Sequence, residues 1–530
     1  MTERLGGSPL TQAALEGKTP AHWYRARPAS GVEWRDHMTS VRHRFSSSEW
    51  LATLLPALAP GGAALTRLNR VANGAGVVIT SGQQAGLFGG PIYTWSKALS
   101  ALATADVLEA ETGIPTAPVF WAATDDADFA EASITKMAVN GGIETLQLPE
   151  PPRSGLSMRD TPLGNITDLV RALELGAGSA TYSAILEQVR SIYEPRATVG
   201  SAYVVLLRAV LEPLGIAVLD AGHPAVRAAT QPLLRMALRA AAPVDAALER
   251  RQREIVETGF VAQVPLVSGL SLVFANQSEG RARVPIKSAV EVAEDEQVSL
   301  GSTVLIRPLI EQALLPTASY VAGPAEIAYF AQIGAVADAL SVERPMVLPR
   351  WAGCIIEPHI ERLLNRYGFA KDDLADPHSA EARMARDTMP AAVAEGLSGL
   401  SAQLKTSVDI LRESLRTEYA KLNVSSTVAD GFQRDVERRI TRLDRRISAA
   451  AKRSEEVGLR DIATMRAALY PNGKRQERVL NFIPLLARHG PSLLSGMLER
   501  ARVHAADLVP VSNAGVGSVR PGGEVSANRP

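Results

Sequence analysis

Residues 76–97 read Gly-Val-Val-Ile-Thr-Ser-Gly-Gln-Gln-Ala-Gly-Leu-Phe-Gly-Gly-Pro-Ile-Tyr-Thr-Trp-Ser-Lys. The β-branched run at 77–80 predicts a short buried strand. Pro91 opens a long apolar-periodic segment, which predicts a helix with proline at its first position. A glycine-rich loop joins the two. Strand, glycine loop and helix in this order aim backbone N–H groups and a helix N-terminus at an anion, usually a phosphate.

The loop matches neither of the common phosphate-binding signatures, G-x-G-x-x-G and G-x-x-x-x-G-K-[ST]. Two glutamines stand in place of the usual lysine. We therefore expect recognition by amide groups rather than by a fixed positive charge. The candidate nucleotide-binding residues of this segment are Gly82, Gln83, Gln84, Gly86 and Gly90.

Length and composition limit the class of protein. A chain of 530 residues exceeds the size of a single core, so two or three structural units are expected. Lys+Arg and Asp+Glu both number 56, and this balance argues against nucleic acid as a main partner. Neither a bilayer-spanning apolar run nor an N-terminal signal pattern is present, so we expect a cytoplasmic protein without membrane association.

Cysteine and histidine usage argues against disulfides and metal centres. The single cysteine, Cys354, suits a reducing cytoplasm, and free cysteines are more often buried structural thiols than nucleophiles. The eight histidines show no metal-ligand spacing. We therefore predict no structural zinc site and assign no metal ligands.

A second strong strand at 116–123 follows the glycine loop and its helix, and this alternation implies a parallel sheet. Further strands are predicted at 216–220, 304–306, 319–322 and 346–348. The sequence thus predicts a doubly wound, Rossmann-like α/β core over residues 1–387. Insertions are expected at roughly 141–210 and 260–300. The second insertion reads as a small antiparallel sheet that either shapes a substrate pocket or is solvent-exposed decoration.

Residues 388–456 change character and predict an antiparallel coiled-coil hairpin, because apolar residues recur at spacings of three and four. The seam consists of Leu397, Leu404, Val408, Leu411, Leu415, Leu422, Phe432, Val436, Ile440, Leu443 and Ile447. An isolated hairpin buries little, so we expect its seam to form a homodimer. Residues 457–507 are predicted to return to the core, and 508–530 to be a disordered tail.

Three acids follow the second strand: Asp125, Asp126 and Asp128. Ligands bind beyond the carboxyl ends of strands in open α/β sheets, so these side chains should lie beside the glycine loop. Clustered carboxylates raise one another's pKa, or hold Mg²⁺ or an ammonium group. The alternative is a helix N-cap with further acids favouring the helix dipole.

Two further groups could bind an anion. Arg307 could bind a carboxylate or phosphate bidentately, or form a structural ion pair. Glu326 falls in a first helical turn, where it is either a ligand group or a helix-stabilising acid. Lys474 and Arg478 follow a Pro-Asn-Gly turn and are predicted to share one helix face. They either reach a phosphate or carboxylate, or dock the last segment.

Together, the motifs at 81–91, 120–129, 323–329 and 470–478 resemble those of the cysteine-adding enzymes of bacillithiol biosynthesis. Residues 307–308 and 346–350 are similar to that family too. The resemblance spans nearly the whole chain in the right order. It implies a Rossmann-like core related to class I aminoacyl-tRNA synthetases and nucleotidyltransferases, with connecting-peptide insertions and a homodimerising coiled coil.

The resemblance also implies a reaction, the joining of the carboxyl group of L-cysteine to the amine of glucosaminyl-malate as the last step of bacillithiol biosynthesis. Amide formation from a free carboxylate is uphill in water, so ATP or another adenine nucleotide is the expected co-substrate, and Mg²⁺ is a candidate metal. By this resemblance Gln83, Gln84 and Gly90 contact the nucleotide. The three acids hold the amine, help to deprotonate it or bind Mg²⁺. Arg307 meets a carboxylate, and Glu326 and Tyr329 orient the sugar or the cysteine ammonium.

One motif departs from the family. Its usual Glu-Asp-His-Asp-Phe is replaced here by a run with Asp125 for the glutamate and Ala127 for the histidine. Two other functions therefore stay open. One is a different nucleotide-dependent ligase or nucleotidyltransferase on the same scaffold. The other is a catalytically silent, dimeric nucleotide-binding protein, which Ala127 favours.

Overall fold

The computed structural model describes residues 1–45, 47–151, 153, 155–277, 280–387, 389–417, 425, 427–454 and 456–510. Its contacts divide the chain into two compact units. Among the described residues, the core unit contains those of 2–135, 146–353 and 481–510. The coiled-coil unit contains residue 1, residues 136–145 and residues 354–480.

The strands are β1 Val77–Gln84, β2 Thr116–Ala123, β3 Ile134–Val139, β4 Gly142–Gln147, β5 Ala217–Asp220, β6 Leu270–Gln277, β7 Gly280–Pro285, β8 Leu300–Ser302, β9 Thr317–Ala322 and β10 Val347–Pro349. The first eleven helices are α1 Pro9–Leu15, α2 Gly31–Arg44, α3 Trp50–Leu58, α4 Gly62–Asn73, α5 Ile92–Thr112, α6 Phe129–Ala132, α7 Thr167–Ala177, α8 Ala184–Ile192, α9 Val199–Leu211, α10 Pro224–Arg239 and α11 Ala241–Glu257. The others are α12 Ala289–Glu294, α13 Arg307–Leu314, α14 Pro324–Ala339, α15 Pro358–Tyr367, α16 Pro377–Asp387, α17 Ala391–Thr417, α18 Thr427–Ser454, α19 Glu456–Leu469, α20 Ile483–His489 and α21 Pro491–Leu508.

The central sheet of the core unit is parallel, in the order β10-β9-β1-β2-β5. Its strands are buried on both faces because apolar side chains alternate between two clusters. Val78 belongs to one cluster, and Val77 and Ile79 belong to the other. Helices α3, α4, α10, α13 and α14 cover the first face, and α2 and α5 cover the second. The predicted Rossmann-like α/β fold is confirmed, with its topological switch point between β1 and β9.

The strand predicted at 304–306 is wrong. These residues form a turn that leads into α13, with Leu305 and Ile306 buried in the core. A short apolar run cannot be assigned to strand or turn by periodicity alone, and Pro308 in the first helical turn marks the start of a helix. Pro91 is the N-cap of α5, one residue before the first helical position that the sequence analysis gave it.

The segment predicted as an antiparallel insertion forms a three-stranded sheet in the order β7-β6-β8. The earlier insertion contains β4 and the helices α7, α8 and α9. Among the described helices, none is long and apolar enough to cross a membrane.

The coiled-coil unit has a hydrophobic core of its own, in which α15 and α16 pack with α19. Residues 354–387 therefore fold with this unit, although the sequence analysis assigned them to the α/β core. Cys354 is buried in this small core, in agreement with a structural thiol. Of the segment expected to return to the core, residues 481–507 belong to the core unit and 457–480 do not.

Helices α17 and α18 pack against each other and form the predicted hairpin. Near its turn, Arg412 on α17 is bound by Asp430 on α18, with Nη2 to Oδ1 at 2.7 Å. Leu422 of the predicted seam lies outside the described residues. Of the predicted tail, residues 511–530 lie outside them too, whereas Val509 is buried in the core unit.

Candidate active site

The carboxyl ends of β1 and β9 meet at the switch point, and a buried lysine lies there. The Lys97 ammonium, from α5, donates to the Gly82 carbonyl at 2.7 Å and to Gln83 Oε1 at 3.0 Å. It also pairs with Glu326 at 2.6 Å. Burial lowers the pKa of Lys97, and the charge of Glu326 opposes that shift. Because this ammonium lies on α5 and is paired with Glu326, recognition of an anion by the amide groups of the loop stays a prediction.

Glu326 stabilises the start of α14. Its Oε2 accepts from the Gly323 N–H at 2.6 Å, and its Oε1 accepts from the Tyr320 hydroxyl at 2.6 Å. Both oxygens are thus occupied by the protein, which favours the helix-stabilising role over a ligand role. Tyr329 lies beside it, and burial together with the Glu326 charge raises the pKa of Tyr329.

Asp126 is the most extensively bound of the three acids. Its carboxylate accepts from the Gln84 amide, from Arg281 and from the Ala127 N–H, each at 2.7 Å. Arg307 lies 3.9 Å away. Burial alone would raise the pKa of Asp126, but Arg307, the Gln84 amide and Arg281 outweigh it and hold the pKa below its usual range. Arg281 comes from β7 and was not predicted.

The other two acids diverge from Asp126. Asp128 is exposed and caps α6 by accepting from the Glu131 N–H at 3.0 Å, so the N-cap alternative holds for it. Asp125 lies close enough to Arg307 to help raise its pKa, against the opposing effect of burial. Among the described residues, no group of three His, Cys, Asp or Glu side chains could hold a metal ion. Mg²⁺ binding, which was one of the alternatives for these acids, stays a prediction.

The glycine loop is packed against the protein over most of its length. Leu87 and Phe88 are buried, and the Asn481 amide donates to the Phe88 carbonyl at 3.0 Å. At Gly90 φ is +71°, and a Cβ there would lie 3.2 Å from Thr94 Oγ1. Gly90→Val is therefore expected to strain the fold, contrary to the usual tolerance of loops.

The amides of the loop already bind protein groups. Gln83 donates to the Tyr93 hydroxyl at 3.1 Å and Gln84 donates to Asp126. The Thr94 hydroxyl, in the first turn of α5, is buried and has no partner among the described residues. A Cβ at Gly86 would meet the Gly90 Cα at 2.9 Å, so the loop closes tightly around this point. Phosphate binding by the glycine loop and the N-terminus of α5 stays a prediction.

Lys474 and Arg478 are exposed in the coiled-coil unit. They lie on two short 3₁₀ turns and their flanks, Pro471–Gly473 and Gln476–Arg478, and the predicted helix face does not form. The residue that fastens this segment is Gln476, whose amide exchanges two hydrogen bonds of 2.8 Å with the backbone of Ile355.

A cavity of about 240 Å³ lies beyond the ends of β2 and β5. The three-stranded sheet and the segment 155–160 form part of its wall. Its polar lining consists of Asp125, Ser157, Asp160, Arg227, Thr230, Asn276, Arg281 and Ser302. The segment 155–160 is held in place by backbone hydrogen bonds from Met158 to Asp126 and from Arg159 to Thr124, and by the ion pair of Arg159 with Asp220. The three-stranded sheet of the second insertion, together with the segment 155–160 of the first, therefore shapes a pocket.

Glu311 on α13 is a buried acid close to Arg307. Burial raises the pKa of Glu311 to about 8, although the Thr80 hydroxyl and Arg307 oppose that rise. Because the folded protein holds this proton above the unfolded value of 4.5, the contribution of Glu311 to stability should be lost as pH rises toward 8.

We expect Glu311→Gln to flatten the pH dependence of stability. In the native protein this group contributes a slope of up to about 1.4 kcal/mol per pH unit between its two pKa values. Urea unfolding at pH 5, 6, 7 and 8 measures it. Glu187→Gln, at an exposed position of α8, is the control and should leave the slope unchanged. Equal slopes for all three proteins would contradict a neutral Glu311.

Comparison with known proteins identifies the family. A model described as "Bacillithiol biosynthesis BshC, N-terminal Rossmann-like domain" matches residues 8–351, and one described as "Bacillithiol biosynthesis BshC, C-terminal coiled-coil domain" matches residues 353–508. The chain belongs to the BshC family of bacillithiol biosynthesis.

Three relatives in this family are each named "Putative cysteine ligase BshC". The protein of Solibacter usitatus is 30% identical over 475 residues, covering 86% of this chain and 88% of the relative. That of Koribacter versatilis is 29% identical and covers 94% of this chain and 96% of its own. That of Staphylococcus carnosus is 28% identical, with coverages of 81% and 83%.

The sequence analysis did not predict three polar residues of this BshC site: Lys97, Arg281 and Asn481. Lys97 lies within an apolar helix, where a lone lysine normally marks a solvent-facing position. Arg281 and Asn481 are distant in sequence from the groups that they bind. For Lys97 a signal existed, because α5 is apolar on nearly every side, and a lysine on such a helix must be buried with a partner.

Proposed function

We propose that this BshC protein joins the carboxyl group of L-cysteine to the amine of glucosaminyl-malate, forming an amide bond in the last step of bacillithiol biosynthesis. Membership of the BshC family supports the pathway, and the names of its relatives support the cysteine ligation. The observation that carries the proposal is the buried cluster of Asp126 with Gln84, Arg281 and Arg307 at the carboxyl edge of the sheet.

ATP, or another adenine nucleotide, is the activating co-substrate in this proposal. The glycine loop, the N-terminus of α5 and the unpartnered Thr94 hydroxyl are the groups that would hold its phosphates. When bound there, the nucleotide supplies an activated carboxyl group. Gln83 is bound by Lys97 and Tyr93, so in this proposal it supports the glycine loop and does not contact the nucleotide.

The acids and arginines have separate roles in binding the carboxylate and the amine of the substrates. Asp126 keeps Arg281 and Arg307 charged and oriented, and a guanidinium so placed binds a substrate carboxylate bidentately. Asp125 is the acid available to the amine, since Asp126 is already bound and Asp128 caps α6. A carboxylate beside the amine holds its ammonium form and takes part in its deprotonation.

Turnover with purified substrates tests this function. The full chain with ATP, cysteine and glucosaminyl-malate should yield bacillithiol by mass spectrometry, and omission of ATP should abolish it. Cells without the protein should lose bacillithiol from their low-molecular-weight thiols. An unchanged thiol pool would favour a different ligase or nucleotidyltransferase, and nucleotide binding without turnover would favour a catalytically silent protein.

We further propose a cytoplasmic homodimer assembled through α17 and α18. Six apolar side chains of these helices are 43–64% exposed, namely Leu400, Ile410, Leu411, Val428, Phe432 and Leu443. Exposed apolar stripes of this kind mark interaction surfaces.

Leu411→Lys combined with Leu415→Lys should convert the dimer into a monomer in light scattering, because two charges would enter the apolar seam. Gln403→Lys with Ser407→Lys, at exposed polar positions of the same helix, should leave the mass unchanged. A dimer that survives the leucine substitutions would place the interface elsewhere.

A further inference from the structure

Two residues that line the cavity beyond β2 and β5, Trp121 and Asp125, each carry a buried polar atom, one a donor and the other an acceptor. Trp121 lines the cavity with only 3% of its surface exposed, and its indole Nε1 is a donor without a partner among the described residues. Asp125 lines the same cavity, and its buried Oδ1 is an acceptor without a partner there. Buried polar atoms are nearly always hydrogen-bonded, so each of these two needs an explanation.

The other charges of this cavity are balanced within the protein. Arg227 pairs with Asp160 at 3.3 Å, and Arg281 pairs with Asp126 at 2.7 Å. Arg307 neighbours Asp125 and balances its charge, but no group among the described residues donates to Oδ1 of that carboxylate. A ligand that completes the cavity therefore needs a hydrogen-bond donor for Asp125, which an ammonium group supplies, and an acceptor for Trp121.

The rest of the wall agrees with a small polar ligand. Ser157, Thr230, Asn276 and Ser302 present neutral hydrogen-bonding groups, and the volume of about 240 Å³ accommodates a sugar ring. A polyhydroxylated amine has the donors and acceptors that such a lining requires.

We propose that this cavity is the subsite for the amine substrate, where Asp125 accepts from the ammonium group and the Trp121 N–H donates to the hydroxyl on the neighbouring carbon. Trp121 is then a specificity-determining residue that selects an amine with an adjacent hydroxyl. The inference rests on the proposed function only for the identity of the substrate, glucosaminyl-malate. The cavity and its two unpartnered atoms are independent of it.

Calorimetry of the full chain with glucosaminyl-malate tests the subsite without any turnover. Trp121→Phe removes the N–H and keeps most of the ring, and should weaken binding about 5- to 10-fold, as expected for a neutral hydrogen bond. Asp125→Asn should weaken it about 10- to 100-fold, because a charged partner is lost. Trp95→Phe is the matched control, since Trp95 is fully buried with an unpartnered indole N–H and does not line the cavity.

A ligand analogue that lacks the hydroxyl next to the amine gives the decisive comparison. The native protein should bind this 3-deoxy analogue about 5- to 10-fold more weakly than glucosaminyl-malate, whereas Trp121→Phe should bind the two equally. Equal binding of both ligands by the native protein overturns the proposal, and this comparison can be made without any variant. Equal losses in Trp121→Phe and Trp95→Phe, or no binding of glucosaminyl-malate at all, overturn it too.

Failure of the subsite and failure of the proposed function give different results. If the protein makes bacillithiol and Trp121→Phe keeps the native kcat/KM for both ligands, the function stands and the subsite is wrong. If no bacillithiol forms but the calorimetric pattern holds, the subsite stands and the ligase function is wrong.

Discussion

Replacing Asp126 with asparagine should lower kcat/KM for bacillithiol formation by about 30- to 1,000-fold, the range expected when one charged interaction in a buried site is lost. The variant retains the shape of the side chain. However, Arg281 and Arg307 would lose the Asp126 carboxylate, and each would be left as a partly buried charge with one fewer anionic partner. The measurement is initial rate by mass spectrometry over a range of glucosaminyl-malate concentrations.

Asp128→Asn is the matched control for this experiment. It makes the same chemical change two residues away, at an exposed N-cap where asparagine serves about as well as aspartate. We expect near-native activity. Equal losses in the two variants would show that the acids act together after all, and native activity in Asp126→Asn would remove this cluster from the active site.

Lys97→Met should destabilise the core unit by about 3–5 kcal/mol, as is typical when one partner of a buried ion pair is removed. Glu326 would retain its charge without the ammonium group 2.6 Å away, and the Gly82 carbonyl would lose its donor. Urea unfolding at neutral pH, followed by fluorescence, measures the loss.

The double variant Lys97→Met/Glu326→Gln distinguishes loss of the pair from loss of packing. Removal of both charges should recover part of the stability lost in Lys97→Met, since no buried charge is left unpaired. Lys18→Met is the control, because Lys18 forms an equally short ion pair with Glu16 on the surface and should give no measurable change. A double variant as unstable as Lys97→Met would mean that the lysine acts through packing alone.

The strand, loop and helix around residues 76–97 were predictable because their signals are local. A β-branched run, a cluster of glycines and an apolar periodicity each depend on neighbouring residues, and the structure forms β1 and α5 where these patterns occur. The acids after β2 were predictable as well, since strand ends of a parallel sheet share one edge. The error at 304–306 has the same origin, because a short apolar run carries no information on its partner.

The roles of those acids could not be read from the sequence. Asp125, Asp126 and Asp128 are nearly adjacent, yet one lines a cavity, one binds two arginines and one caps a helix. The difference depends on the insertion, which brings Arg281 to Asp126 from 155 residues away.

The sequence by itself therefore determined the elements of this protein, the parallel α/β class and the coiled-coil hairpin, because hydrophobic periodicity and turn residues act over a few residues. Only the tertiary structure decided which polar groups meet. Lys97 with Glu326, Arg281 with Asp126 and Asn481 with the glycine loop are pairings across long stretches of chain. Burial makes each of them necessary, since a polar group removed from water must find its partner wherever packing places one.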